Sequence, residues 1–207
     1  MRIARDGIPS ISLLGCMTVG AWFLSPWAAL VLAGPFAMSL WFYRDPERTP
    51  GGDETVWLSP ADGKVVELEE AEDAYAGRTT KIGIFMSGFD VHVNRVPTGG
   101  TVEEIRHVPG KKWFAIAPKA SEINERLYVH MTTDQGRTTL VQIAGILARR
   151  IACHTKTGDT LARGQRYGMI KLGSKVDVYL PASVRAAVRI GDRVRAGETP
   201  IGVIGER

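Results

Sequence analysis

From Ile11 to Phe42 the chain carries no Asp, Glu, Lys or Arg. As one helix these 32 residues would extend about 48 Å, against a hydrocarbon core of roughly 30 Å. The run is too long for one untilted span and too short for two full ones. Ser25-Pro26 predicts a break near its middle, and Gly34-Pro35 predicts a second. Trp22, Trp27, Trp41 and Tyr43 suit an interfacial aromatic belt. Arg2 and Arg5 precede the run, and Arg44 and Arg48 follow it. Positive charge on both flanks fits a shallow hairpin with both ends cytoplasmic, with a single span as the alternative. A secretory signal would have an apolar region of only about 7–15 residues. Residues 1–43 are therefore expected to hold the chain at the cytoplasmic face of the cell membrane.

The rest of the composition narrows the class. A formal net charge of +4 is too small to argue for a nucleic-acid partner, though it is compatible with an anionic membrane surface. Cys16 and Cys153 lie far apart, and Cys16 sits in the apolar run. No disulfide framework or metal-ligand spacing is visible.

Residues 44–55 are polar and rich in Pro and Gly, which reads as a linker. From Val56 to Arg207 short β-branched stretches alternate with Gly, Asp and Lys, as in Lys64–Leu68, Lys81–Met86 and Val176–Leu180. They predict a mainly β (α+β) domain. One helix is expected over Ser121–Arg126, with Ser121 as N-cap. Two copies of Gly-Asp-x-apolar-x-x-Gly, Gly158–Gly164 and Gly191–Gly197, begin 33 residues apart. Each places a turn, one inward side chain and a second turn at fixed spacing. The pattern resembles the half-motif of biotinyl and lipoyl carriers and other barrel-sandwich hybrids, with Ser59–Val65 like the entry strand of one half. Two unrelated β-turns would be the plainer explanation.

Between the two copies lies Leu172-Gly173-Ser174. A serine after glycine can attack the preceding carbonyl when the backbone is bent, converting the amide to an ester. Glycine helps because its carbonyl is unhindered and its dihedrals tolerate strain. Loss of the Ser174 α-proton then expels the ester and leaves dehydroalanine, which tautomerises and hydrolyses to an N-terminal pyruvoyl group and ammonia. Such a ketone forms an imine with a substrate amine and serves as the electron sink that loss of CO2 from an α-amino acid requires. Most Leu-Gly-Ser tripeptides are plain turns. Gly88–Arg95 adds a second pattern. On a strand, Phe89, Val91 and Val93 would share one face, and Asp90, His92 and Asn94 the other. An Asp that fixes a His tautomer makes a workable acid/base pair; a solvated polar strand face is the bland alternative.

The chain resembles the short bacterial type of phosphatidylserine decarboxylase proenzyme. The matching segments are Phe42–Pro46, Ala61–Val65, Asp90–Asn94, Asn124–Arg126, Ala144-Gly145 with Ala148–Arg150, and Gly173-Ser174. The resemblance implies self-cleavage at Gly173-Ser174 into a β chain, residues 1–173, and an α chain, residues 174–207, which stay together as a heterodimer. It implies a pyruvoyl group from Ser174 that forms a Schiff base with the lipid's serine headgroup, releasing CO2 and leaving phosphatidylethanolamine. Catalytic roles fall on Ser174, His92 and Asp90, with Asn94 in support and Arg149 and Arg150 as candidates for the lipid phosphate. Larger family members carry a further catalytic histidine after a Phe-Ser-Val-Asn segment; here Phe114–Pro118 has none, so Asp90 and His92 take both acid/base jobs. A carrier domain would need a modified lysine, and neither Lys171 nor Lys175 stands in a carrier signature. A pyruvoyl enzyme for a soluble amino acid would not need Ile11–Phe42.

Overall fold

The computed structural model describes residues 2–111, 113–117, 120–146, 151–171 and 173–205. The chain divides into two compact units, Met1–Glu47 and Arg48–Arg207.

In the first unit, helices α1 (Ile8–Leu24) and α2 (Pro26–Phe42) pack against each other. Ser25 separates them in extended conformation, at φ −163°, the region to which the ring of a following proline confines a residue, and Pro26 opens α2 at proline's favoured first helical position. The strands β1 (Arg2–Ile3) and β2 (Arg44–Asp45) pair antiparallel, and Ala4 N donates to Tyr43 O at 2.8 Å. Both chain ends of the unit are thus tied together, and the apolar run is a helical hairpin. Phe23, Leu24 and Trp27 are exposed at its turn. Each helix has 17 residues, about 26 Å; with its preceding turn, Arg5–Leu24 is long and apolar enough to cross a membrane. The expected break at Gly34-Pro35 does not occur, since α2 runs through Pro35. Proline's fixed φ is already helical; the cost is one missing backbone donor and crowding of the ring against the carbonyl one turn back, which an apolar helix tolerates while its other bonds persist.

The second unit is built on an eight-stranded antiparallel sheet. Its order is β11 (Thr160–Leu161), β7 (Gly100–Val108), β8 (Arg126–Thr133), β9 (Gly136–Ile143), β13 (Ser174–Pro181), β5 (Gly77–Met86), β4 (Gly63–Asp73) and β15 (Arg193–Val194). Two smaller sheets complete it: β10 (Ile151–Cys153), β12 (Arg166–Ile170) and β6 (Val93–Arg95), and β14 (Val184–Ala186), β16 (Pro200–Ile204) and β3 (Val56–Leu58). Along β13, Val176, Val178 and Leu180 face the core with Ile82, Ile84, Val129 and Leu140.

The two Gly-Asp copies occupy equivalent places. Gly158, Gly164, Gly191 and Gly197 all have positive φ, and Leu161 and Val194 are both buried. Gly158 N donates to Val102 O, whose residue's N donates to Asp159 O; Gly191, Val65 and Asp192 repeat this bonding. Gly164 N reaches Val96 O just as Gly197 N reaches Ser59 O. The partner of Ser59–Val65 is therefore Val96–Val102, a second x-Pro-x-x-Gly-x-Val segment. The mainly β fold with duplicated half-motifs holds.

Three local expectations change. Of the polar linker, Arg48 is pinned by Asp62 and Glu198, both at 2.8 Å, and the Gly51 carbonyl accepts from Arg163 Nη2, so residues from Arg48 onward belong to the second unit. The helix near Ser121 is one turn, α3 (Ala120–Ile123). Ser121 lies inside it with its hydroxyl bonded to strand β13 residues, so it is not spent on a cap. The strand expected over Gly88–Arg95 spans only β6; Ser87–Asp90 turns because the Asp90 carboxylate accepts from Ser87 N and Ser87 Oγ.

Candidate active site

The first residue of β13 is Ser174, opposite Met86 at the end of β5, while Lys175 lies opposite Ile143 at the end of β9. The connections following β5 and β9, and the segment preceding β8, therefore gather at the Ser174 end of the sheet. Ser174 is completely buried, and its Oγ has no hydrogen-bond partner among the described residues. A buried hydroxyl without a partner is costly in a merely structural role. Gly173 holds φ +59°, the left-handed region that glycine enters without strain from a Cβ. Its carbonyl lies against Gly145, where an added Cβ would stand 1.6 Å from Gly173 O. The carbonyl, the bend and the nucleophilic oxygen thus meet at one junction with no room for a side chain at Gly145.

The Asp90, His92 and Asn94 group does not form one strand face. His92 is completely buried, and its Nδ1 lies 2.9 Å from the Asp90 carbonyl oxygen. A carbonyl only accepts, so Nδ1 carries the proton and Nε2 the lone pair in the neutral ring. The backbone carbonyl of Asp90 orients the imidazole, while its carboxylate accepts from Ser87 N and Oγ through Oδ2 and lies 3.6 Å from Arg193 Nη1 through Oδ1. The His92 carbonyl accepts from Ile170 N at 3.4 Å, which places His92 beside the segment leading to Ser174. Asn94 is buried too, accepting from Gln142 Nε2 at 2.8 Å and directing Nδ2 at Met86 Sδ, 3.6 Å away. It braces β6 to β9 and β5 beneath the site.

On the other face of β13 lies a buried quartet. Lys175 Nζ is 2.5 Å from Glu67 Oε1, 3.2 Å from Asp177 Oδ1 and 2.7 Å from Ser121 Oγ. Lys81 Nζ is 2.8 Å from Glu67 Oε2 and 3.8 Å from Asp177 Oδ2. Two ammoniums face two carboxylates, and Gly83, opposite both Glu67 and Asp177, leaves the space they fill. Burial pushes the Glu67 carboxyl up, but Lys175 and Lys81 outweigh it and hold it below its ordinary value. Burial likewise pushes the Lys81 ammonium down, and Asp177, Glu67 and Glu69 reverse this and raise it.

Asn124 ties the surrounding loops together. Its Nδ2 donates to the Trp113 and Ala144 carbonyls, and its Oδ1 accepts from Trp113 N. Arg149 and Arg150, the candidate phosphate ligands, lie outside the described residues. His130 bonds Thr139 and His107 bonds Glu125, so each has a structural partner. The sequence reading assigned no role to Gly145, Gln142, Lys175, Asp177, Glu67 or Lys81. Alternation along Ser174–Leu180 was the available signal for the quartet, since it puts Lys175 and Asp177 together opposite Val176 and Val178.

The family model described as phosphatidylserine decarboxylase matches residues 36–202. Among curated relatives, a phosphatidylserine decarboxylase proenzyme of Solidesulfovibrio magneticus is 45% identical over 201 residues, covering 95% of this chain and 94% of the relative. One of Symbiobacterium thermophilum is 45% identical, covering 97% and 94%. One of Cupriavidus pinatubonensis is 44% identical, covering 99% and 96%. The matched residues include the buried, bent Gly173-Ser174 junction and the oriented His92, and the chain belongs to the phosphatidylserine decarboxylase family.

Proposed function

We propose that the Gly173–Ser174 bond of this chain rearranges by itself, and that the resulting enzyme decarboxylates phosphatidylserine at a membrane surface. The observation that carries this reading is the junction itself: a buried Ser174 Oγ without a described partner, next to a left-handed Gly173 whose carbonyl rests on Gly145.

The chain's own groups suffice for the first reaction. Ser174 Oγ attacks the Gly173 carbonyl carbon, the C–N bond breaks, and the hydroxyl proton passes to the departing Ser174 nitrogen. Removal of the Ser174 α-proton then breaks the Cβ–Oγ bond, leaving Gly173 as a carboxylate terminus. Tautomerisation and addition of water release ammonia. His92 is the base assigned to these proton transfers, because its Nδ1 contact with the Asp90 carbonyl keeps the lone pair on Nε2. Asp90 acts by closing the Ser87–Asp90 turn, and Asn94 by fixing β6 against Gln142. A pyruvoyl group at residue 174 supplies a ketone for the lipid's amine and a sink for the electrons left by CO2.

The fragments 1–173 and 174–207 are expected to stay associated. Strand β13 sits between β9 and β5, and β15 and β16 bond to β4 and β3, so ladders to the larger chain remain after cleavage. The hairpin through Tyr43 is assigned to attachment at the cytoplasmic face of the membrane, which holds the enzyme near a substrate that does not leave the bilayer.

The reading is tested with a time course of chain splitting and of CO2 release from phosphatidylserine for the native chain and His92→Gln. A positioned base contributes about 10²–10⁴-fold, so splitting should slow by that order in protein with native circular dichroism. Hydroxylamine, which captures ketones, should abolish CO2 release by the native enzyme. Normal splitting in well-folded His92→Gln removes His92 from the mechanism, and full activity after hydroxylamine removes the ketone.

A further inference from the structure

The chemistry assigned to Gly173–Ser174 changes what holds residue 174. The peptide bond to Gly173 is lost and the Ser174 nitrogen leaves as ammonia, so the residue keeps no backbone donor. The strand ladders give little in return at this end. Ser174 pairs with Met86 on β5, and the ladder to β9 stops at Lys175. A ketone that must condense with an amine and collect the electrons left by CO2 has to stay in place, since a misplacement of about 1 Å can cost about a hundredfold in rate.

The attachment is found one residue on, across the strand. Lys175 is completely buried. Its Nζ meets oxygens on three elements: Glu67 Oε1 of β4 at 2.5 Å, Ser121 Oγ of α3 at 2.7 Å and Asp177 Oδ1 of β13 at 3.2 Å. Ser121 Oγ accepts from Lys175 and donates to Asp177 Oδ2 at 2.9 Å. The Ser121 carbonyl accepts from Arg126 Nη1 at 2.7 Å, which fixes α3 to the start of β8. Three residues further, Asn124 reaches the carbonyl of Ala144, beside the Gly145 on which Gly173 O rests. Stability alone does not call for such a network, because apolar side chains of similar volume often stabilise as well as a buried ion pair or better. Direction is what the network adds. An apolar side chain can slide along its neighbours, whereas an ammonium bound to acceptors on separate elements fixes its strand in both translation and rotation.

We propose that Lys175 and Ser121 are positioning residues for decarboxylation: the contacts of Lys175 with Glu67, Ser121 and Asp177 form a peg that keeps the ketone at residue 174 in place once the covalent tether to Gly173 is gone. The inference rests on the assigned splitting at Gly173–Ser174 and concerns the reaction that follows it. Before splitting, Gly173, with its carbonyl against Gly145, holds Ser174 from the other side, so the joined chain does not depend on the peg. After splitting, Lys175 is the first residue of the fragment with a side chain bound to the other fragment, through Glu67 and Ser121.

The test compares the full native chain with Ser121→Ala, which removes one acceptor from the peg and leaves the charges of the quartet as they are. Splitting, followed by intact mass, should keep its rate within about threefold. In the split protein kcat for a soluble short-chain phosphatidylserine should fall about tenfold with KM within about twofold, the pattern of a misplaced reacting group rather than of lost substrate binding. Hydrogen exchange adds a readout apart from activity. Amides of residues 176–179 should exchange about tenfold faster in split Ser121→Ala than in the split native protein, whereas Ser121→Ala/Ser174→Ala, which stays joined, should match Ser174→Ala. An unchanged kcat in split Ser121→Ala overturns the proposal. So does exchange that quickens equally in joined and split protein, because the network would then serve the fold at every stage. A native chain that does not split contradicts the chemistry assigned to Gly173–Ser174 instead.

Discussion

Removing one ammonium from the quartet behind Ser174 should cost far more than a surface ion pair. Lys175 is completely buried and Asp177 almost so, and Lys175 touches Glu67, Asp177 and Ser121. Lys175→Met keeps most of the side-chain length but removes one of the two ammoniums that oppose the upward push of burial on the Asp177 carboxyl, and leaves Glu67 and Asp177 to share Lys81. Breaking a buried pair in this way typically costs about 3–5 kcal/mol, against about 0–1 kcal/mol for an exposed pair. The measurement belongs in a Ser174→Ala background, so that splitting does not confound unfolding. Urea denaturation followed by Trp fluorescence should show a midpoint shift equivalent to a loss near the lower figure or above, with the slope unchanged. Lys175→Met/Asp177→Leu should recover part of it, because the double change removes the Asp177 carboxyl together with its ammonium partner. A Lys175→Met loss below about 1 kcal/mol would refute the reasoning, since it would mean that the network is solvated or unformed. The same network lies one residue from the chain end that splitting at Gly173–Ser174 would create. A strand terminus ordinarily frays, and after such splitting the quartet would hold Lys175 and Asp177 to Glu67 and Lys81 of the other fragment.

Gly145→Ala should fold yet split slowly, because its methyl would stand 1.6 Å from the Gly173 oxygen and must push the carbonyl aside. A displacement near 1 Å can cost about a hundredfold in rate, read as a gel time course alongside circular dichroism; unchanged splitting would remove Gly145 from the geometry. Alkaline pH should unfold the second unit. Burial raises the Tyr167 and Tyr179 phenols above their ordinary value of 10.0, so the folded state keeps protons that the unfolded chain releases. Their contribution is complete below about pH 10 and is lost as pH rises through the folded-state values; denaturant midpoints measured across pH 9–11 should fall only on the alkaline side.

Much of this architecture is written in local patterns. The charge-free run announces the helical segment, and Ser25-Pro26 its turn, because a proline has few places in a helix. The Gly-Asp copies announce the duplication, because four left-handed turn positions call for glycine. Pro35 misled because a break signal in water is weaker among apolar neighbours. The Asp90–Asn94 alternation suggested one strand face, but a short-range bond from Ser87 to Asp90 overrode the period and turned the chain. The role of Gly145 was not legible, since nothing near it in sequence reveals that Gly173, 28 residues on, presses its carbonyl there. The quartet was half legible: strand alternation groups Lys175 with Asp177, whereas Glu67, Lys81 and Ser121 reach them only through strand order.

Intact-mass measurement of the purified chain, with Ser174→Ala in parallel, tests the central claim most directly. The account predicts two species, residues 1–173 and a 174–207 chain lacking a free amine, blocked to Edman degradation, with Ser174→Ala remaining a single chain. Catalytically active protein that shows one unbroken chain of 207 residues would contradict it.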